Sequence, residues 1–212
     1  MIISNHEQGT PEWISDRLGL ATGSKADVIT SKSRTKGAES TQRRNYRFQL
    51  ALERIIGKSG EKQFSNDHME RGKELEKFAR MAYEIKTGEM VEEAGFCKLF
   101  EFAKFGCSVD GFVDDRKGIV EIKCPIPAIH YEYIQANTVP SAYINQILHN
   151  MLATGAQYCD FVSYNEDMPD KLKLFVYRFI ATEEQFEEYG KELMKFLDEV
   201  ENLTNEINER SK

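Results

Sequence analysis

No stretch of this sequence approaches the roughly 20 consecutive apolar residues that a membrane-spanning helix needs. The opening residues, Met1-Ile2-Ile3-Ser4-Asn5-His6, lack the basic stretch and apolar core of a secretory leader, so the expectation is a cytoplasmic protein. Cysteine is scarce: Cys97, Cys107, Cys124 and Cys159 are irregularly spaced and form no CxxC pair. That pattern argues against a zinc ribbon and for reduced, mostly buried thiols. Internal repeats and low-complexity segments are absent as well. What is present is an ordinary globular composition over 212 residues, 41% hydrophobic and 30% charged, enough for one sizeable domain.

The net charge of -7 by itself argues against a nucleic-acid partner, but the charge is unevenly spread. Lys25, Lys32, Arg34, Lys36, Arg43, Arg44, Arg47, Arg54, Lys58 and Lys62 face only Asp27, Glu39, Glu53 and Glu61 in the same segment. From Glu183 onward acidic residues dominate. A basic N-terminal third can face phosphate while an acidic C-terminal helix faces solvent. Two solvated helix faces with no partner explain the same pattern. Arg43, Arg44 and Arg47 recur at helical spacing, as a phosphate-facing stripe or as a solvated face.

Thr10-Pro11-Glu12-Trp13 is a helix start, with Thr as cap and Pro in the first turn. A second start follows at Thr22-Gly23-Ser24. Residues 31–39 are polar and read as a loop, and helix resumes from Ser40 to Ile56, stopped by Gly57. Asn66 or Asp67 can cap a long helix ending at Thr87-Gly88, with Leu75, Phe78, Ala79, Ala82 and Ile85 as its apolar positions. The period then changes. Residues 90–102 and 105–115 are strand-like, Asp114–Gly118 is a turn, and Ile119–Cys124 is a strand stopped by Pro125. Residues 127–136 and 141–154 are helical, 158–164 and 171–180 are strands, and Thr182 caps a final helix with Phe186, Tyr189, Leu193, Phe196 and Leu197 on its apolar side. This order predicts an α/β fold with helices on both faces of a sheet.

The strand region carries an acid, a turn, and then an acid–apolar–lysine triplet: Asp110, followed by Glu121-Ile122-Lys123. Side chains alternate along a strand, so Glu121 and Lys123 share a face and Ile122 points into the opposite layer. Pairing through the turn at 114–118 would set Asp110 beside Glu121. Two carboxylates on adjacent strands make a hard-oxygen site for Mg²⁺ or Mn²⁺, to which the Ile122 carbonyl can add a ligand. A lysine beside them can position or deprotonate a water and offset phosphate charge. This is the chemistry of phosphodiester hydrolysis. A solvent-exposed strand of alternating charge gives the same letters, but the apolar setting of Val120-Glu121-Ile122-Lys123-Cys124-Pro125 implies half-burial, where charges need partners.

Several blocks in order carry a family resemblance: Gln8-Gly9-Thr10-Pro11-Glu12-Trp13 with Arg17-Leu18-Gly19 and Thr22-Gly23-Ser24; Arg71-Gly72-Lys73-Glu74-Leu75-Glu76; Ser108-Val109-Asp110-Gly111; Glu121-Ile122-Lys123-Cys124-Pro125; and Tyr143-Ile144-Asn145-Gln146. From about Gly9 to Tyr177 the chain resembles the lambda exonuclease / YqaJ-type viral recombinase family of the restriction-endonuclease-like, PD-(D/E)xK superfamily. The resemblance implies a restriction-endonuclease-like core with a central mixed sheet. It implies one nuclease domain over 1–212: a helical DNA-facing part (1–65), a catalytic core (66–180) and a C-terminal helix (181–212). It also implies a phage or prophage protein, a toroidal homotrimer that degrades one strand of duplex DNA 5′ to 3′, and a single-strand annealing partner. By position, Asp110, Glu121 and Glu76 would hold two Mg²⁺ ions, Lys123 would be the catalytic lysine and Gln146 would position the nucleophilic water. Arg17, Ser24 and Ser108 would bind the 5′-phosphate, with Ser24 at a helix N-terminus. Glu76 is matched by spacing in preference to Glu74 or Glu70. The segment between Lys123 and Gln146 is shorter than in the founding member.

Other readings stand beside this one. Trp13 is read as a packing residue, and His68, His130 and His149 as structural or surface residues. A RecB- or Cas4-like nuclease shares the superfamily, but the cysteines are not placed for an iron–sulfur cluster. A restriction-type endonuclease and a catalytically silent DNA-binding recombination module complete the alternatives.

Overall fold

Residue patterning sets most of the elements, which run in chain order as β1 (Ile2–Ile3), α1 (Pro11–Asp16), β2 (Ala21–Thr22), α2 (Ala26–Thr30), α3 (Thr41–Ile56), α4 (Asp67–Thr87), β3 (Phe96–Lys98), β4 (Phe105–Ser108), β5 (Gly111–Val113), β6 (Gly118–Lys123), α5 (Pro127–Ala136), α6 (Ser141–Thr154), β7 (Tyr158–Tyr164), β8 (Leu174–Phe179) and α7 (Glu183–Arg210). The computed structural model describes residues 1–33, 35, 37–60 and 67–212. The expected cap at Asn66 lies outside the described residues, as do Arg34 and Lys36 of the loop at 31–39. Thr10 begins α1 by accepting from the Trp13 N–H at 3.3 Å. Thr182 and Gln185 form a reciprocal capping box at the start of α7. Gly57 closes α3 at φ 70°, a left-handed position that glycine adopts without strain.

Two four-stranded mixed sheets form, in the orders β1-β3-β4-β2 and β5-β6-β7-β8. β6 and β7 are parallel, and β5 and β8 flank them antiparallel. Helices cover both faces. Ile119, Cys159 and Phe161 join the core with α3, α6 and α7, while Val120, Ile122 and Val162 pack on Ala79 and Tyr83 of α4. Ile122 therefore points into the layer opposite Glu121, as strand alternation requires. The restriction-endonuclease-like α/β architecture follows from these layers.

Several expectations are corrected. The N-terminal part is not purely helical: β1 pairs with β3 and β2 with β4. The inward stripe of α4 is Leu75, Ala79 and Tyr83, at a spacing of four, whereas Phe78 and Ile85 are exposed. The basic and acidic segments meet in part, through Arg43, Arg47 and Arg54. Arg43 is buried, with its Nε donating to the Ile29 carbonyl at 2.9 Å and its guanidinium gripping Glu199 and Glu39. Arg47 pairs with the same two carboxylates, and Arg54 pairs with Glu201 at 3.1 Å. Of the expected phosphate-facing stripe only Arg44 is exposed.

The remaining polar cores are structural. His130 contacts Ser163 Oγ and the Leu172 carbonyl, each at 2.7 Å. His149 contacts Tyr189 Oη at 2.7 Å and the Gly106 carbonyl at 3.0 Å, and burial drives its pKa down to about 4, so it stays neutral. All four cysteines are free thiols, with Cys97, Cys107 and Cys159 buried.

Candidate active site

The β5–β6 hairpin builds the centre. Its turn places Asp114, Asp115 and Arg116 at positive φ, a region that Asp tolerates better than most residues. The register pairs Gly111 with Val120, so one step further Asp110 stands opposite Glu121. Asp110 closes the strand edge: its Oδ2 accepts from the Ile122 N–H at 2.6 Å. In a strand the N–H and C=O of one residue project to the same side. The Ile122 carbonyl is thereby turned toward Asp110.

Glu121 is 2% exposed and its carboxylate is densely partnered. Oε1 accepts from Lys123 Nζ at 2.5 Å and from Gln146 Nε2 at 2.6 Å, and Oε2 accepts from Asn150 Nδ2 at 3.1 Å. Gln146 and Asn150 sit one turn apart on α6, which lays both amides over β6. Lys123 Nζ also lies 5.2 Å from the Tyr143 ring centroid. Glu76 reaches the group from α4 and lines, with Asp110, Glu93, Lys73 and His6, a cavity of about 720 Å³. Glu70 and Glu74 are exposed. Helix register thus favours Glu76 among the three.

The electrostatics are those of crowded acids around one cation. Burial, then the neighbouring Glu121, pushes the Asp110 carboxyl up to about 8, against the pull of Lys123. Burial likewise raises Glu76, offset in part by Arg80 and Lys123. For Lys123 burial opposes the charge, but Glu121 and Asp110 outweigh it and hold the ammonium above its ordinary pKa.

Among the described residues no three His, Cys, Asp or Glu side chains converge into a ready-made ligand cage. The donors are instead two carboxylates, a backbone carbonyl and Glu76 across the cavity. An ionised carboxylate has about four acceptor sites; Glu121 has three filled, leaving one on Oε2. Such an open set of hard oxygens fits Mg²⁺, which retains several waters.

Arg17, Ser24 and Ser108 gather beside this centre. The Arg17 guanidinium lies over the Trp13 ring at 4.4 Å, and its Nη2 donates to Thr22 Oγ1 at 3.4 Å. Thr22 Oγ1 is 3.4 Å from Ser24 Oγ, and Trp13 Nε1 donates to Ser108 Oγ at 2.9 Å. The parallel pairing of β2 with β4 joins the two halves of this cluster. Trp13 is more than a packing residue, since it bridges Arg17 and Ser108. Ser24 does not open a long helix: it lies in a 3₁₀ turn before the five-residue α2. An anion held by this cluster would therefore meet hydroxyls and a guanidinium, not a helix dipole. In the sequence Thr22 was read only as part of a helix start and Asn150 not at all; the i+4 spacing from Gln146 was the available signal for Asn150.

The sequence matches the model of the YqaJ-like viral recombinase domain over residues 12–157. The structure is similar to an alkaline exonuclease, LHK-Exo, from Laribacter hongkongensis, at 36% identity and a TM-score of 0.82, covering 95% of this chain and 98% of that one. Its complex with dAMP matches at 36% identity and a TM-score of 0.83, with the same coverage. A phage related exonuclease from Haemophilus somnus 129PT shares the fold at 13% identity and a TM-score of 0.64, covering 91% of this chain and 96% of that one. No protein with a curated description matches the sequence. Among the described residues no helix is long and apolar enough to cross a membrane. With the domain model spanning well over half its length, and a relative at 36% identity along nearly all of it, the chain belongs to the YqaJ-like viral recombinase family.

Proposed function

We propose that the protein is a Mg²⁺-dependent exonuclease that degrades one strand of linear double-stranded DNA from its 5′ end, in recombination of the phage type. The observation that carries this reading is the adjacency of two sites on one stretch of chain. Ser108 of the arginine–serine cluster lies two residues before Asp110 of the carboxylate–lysine centre, so a gripped end would lie next to the cutting group. The similar alkaline exonuclease supports the reaction class.

Asp110, Glu121 and the Ile122 carbonyl would hold a first Mg²⁺ (or Mn²⁺), and Glu76 would help to hold a second. Bound there, the metal supplies Lewis acidity at the scissile phosphate and a water of lowered pKa. Glu121 and Asp110 beside it favour the ammonium form of Lys123, which suits it to donate to a phosphate oxygen or to water. Gln146 aligns the attacking water. Arg17 grips the terminal phosphate, Ser24 and Ser108 donate hydroxyls to it, and this grip sets the polarity. A homotrimeric ring and a single-strand annealing partner belong to the same reading, and a solution mass equal to a monomer would contradict the ring.

Linear duplexes bearing a 5′-phosphate or a 5′-hydroxyl, each with Mg²⁺ or with chelator, provide the test. The phosphorylated duplex should be consumed fastest, and neither should be cut in chelator. Intact ends in Mg²⁺ would refute the nuclease; equal rates on the two ends would refute the phosphate pocket.

A further inference from the structure

We infer that Asn150 is a positioning residue for the Glu121 carboxylate, and that its amide gives the metal site and the end-binding pocket a common wall. The inference rests on the metal-dependent reading above and adds a residue to it.

Asn150 is 1% exposed. Its Nδ2 donates to Glu121 Oε2 at 3.1 Å, the oxygen that retains the one open acceptor site. Lys123 and Gln146 both hold the other oxygen. Asn150 therefore fixes the direction of the single lone pair that Glu121 can offer a cation. Its Oδ1 is buried and finds no donor among the described residues. Swapping the two amide atoms would not help, because it would turn Oδ1 against the carboxylate. The unsatisfied acceptor is the cost of presenting Nδ2 to Glu121.

The far side of the amide meets the other pocket. A Cβ built on Gly23 would lie 2.0 Å from Asn150 Oδ1 and 3.2 Å from Cγ. Glycine at 23 is what allows the turn carrying Ser24 to close on Asn150. What holds the amide is its bond to Glu121 Oε2 and its burial, so turning it clear of a Cβ at position 23 would break that bond. A displacement of Asn150 would thus be felt at Glu121 on one side and at Ser24 on the other.

Calorimetric titration of the purified full chain with Mn²⁺ tests this without relying on cleavage. Asn150→Leu keeps the branched outline of the side chain, in a larger volume, and removes the donor. It should lower Mn²⁺ affinity by about 10- to 100-fold, the usual effect of losing a partner of a metal-holding group. It should raise the Mg²⁺ concentration for half-maximal cleavage more than it lowers the rate at saturating Mg²⁺. Gly23→Ala keeps the asparagine but sets a Cβ 2.0 Å from its Oδ1, which forces a shift; it should weaken Mn²⁺ binding and also reduce the preference for 5′-phosphorylated ends. Cooperative melting in chelator certifies that each variant is folded. If the parent chain takes up Mn²⁺ and folded Asn150→Leu binds it equally well, the positioning role is overturned while the metal reading stands. A parent chain that takes up no Mn²⁺ overturns both. Folded Gly23→Ala with unchanged Mn²⁺ affinity and end preference removes the common wall.

Discussion

Replacing Arg43 with methionine separates a stabilising arginine from a DNA-binding one. The guanidinium donates to the Ile29 carbonyl at 2.9 Å, to Glu39 at 3.0 Å and to Glu199 at 2.5 and 3.2 Å, and lies over Phe196 at 5.2 Å. Methionine keeps much of the packing but none of the donors. Losing the charged bond to a buried carbonyl costs about 1.5 kcal/mol. Glu39 and Glu199 are each about a quarter exposed, so each ion pair is worth nearer about 0.5–1 kcal/mol than the value of a fully buried pair. The sum is about 3 kcal/mol, or a fall in Tm of about 6–12 °C for a chain of this length. Urea unfolding followed by circular dichroism measures it, and Glu199→Gln should show a smaller loss in the same direction. DNA affinity and its salt dependence, measured on the folded variant, should stay close to the parent's. An Arg43→Met protein within about 0.5 kcal/mol of the parent, but with a shallower salt dependence of DNA binding, would put the guanidinium on phosphate and refute the assignment.

Three further outcomes follow from the site. Lys123→Ala should bind duplex DNA much as the parent does while cleaving about 10²- to 10³-fold more slowly; normal cleavage would remove Lys123 from the centre. Arg17→Ala should bring the rates on 5′-phosphate and 5′-hydroxyl ends together, and Trp13→Phe, which keeps the ring under Arg17 but loses the donor to Ser108, should fall between; an undiminished phosphate preference in Arg17→Ala would dismiss the pocket. Folding raises the Asp110 pKa to about 8, so between about pH 4 and that value the folded chain keeps a proton that the unfolded chain has released. Metal-free stability should therefore fall as pH rises across that window, and Glu76, also raised, adds in the same direction. Asp110→Asn should gain on the parent steadily with pH when both are melted in chelator, and a constant difference would contradict the crowded-carboxylate account. Mn²⁺ affinity of the parent should rise over the same range, because the ligand must lose its proton.

Local signals were legible wherever one segment decides its own fate. Thr10 and Thr182 cap helices because a hydroxyl can reach a backbone N–H three residues on, and Gly57 ends a helix because it accepts a left-handed φ. Strand alternation was enough to place Glu121 and Ile122 on opposite faces. β1 and β2 were invisible because two residues carry no period; they are strands only by pairing with β3 and β4. The charge pattern misled for a related reason. Arg43 and Glu199 are 156 residues apart, so a basic helix and an acidic helix looked like two surfaces, whereas Arg43, Arg47 and Arg54 pair with Glu199 and Glu201.

The site divides along the same line. Asp110 and Glu121 meet through a hairpin, a local device, and their adjacency could be argued from the turn alone. The amides of Gln146 and Asn150 meet Glu121 only because β6 and β7 run parallel, which requires a helical crossover and lays α6 over β6. A resemblance to other chains could supply Gln146, whose letter recurs in a motif, but not Asn150, whose role appears only in contacts. The same holds for Trp13. As a letter it is a large apolar residue near a helix start, and its ring does pack; its indole N–H reaches Ser108, 95 residues on, only after β2 has paired with β4. Residues that supply charge can be read from the sequence by type and spacing. Neutral donors such as Asn150 and Trp13, which fix where that charge points, are legible only in the folded chain, and variants that keep shape while removing a donor are the way to test them.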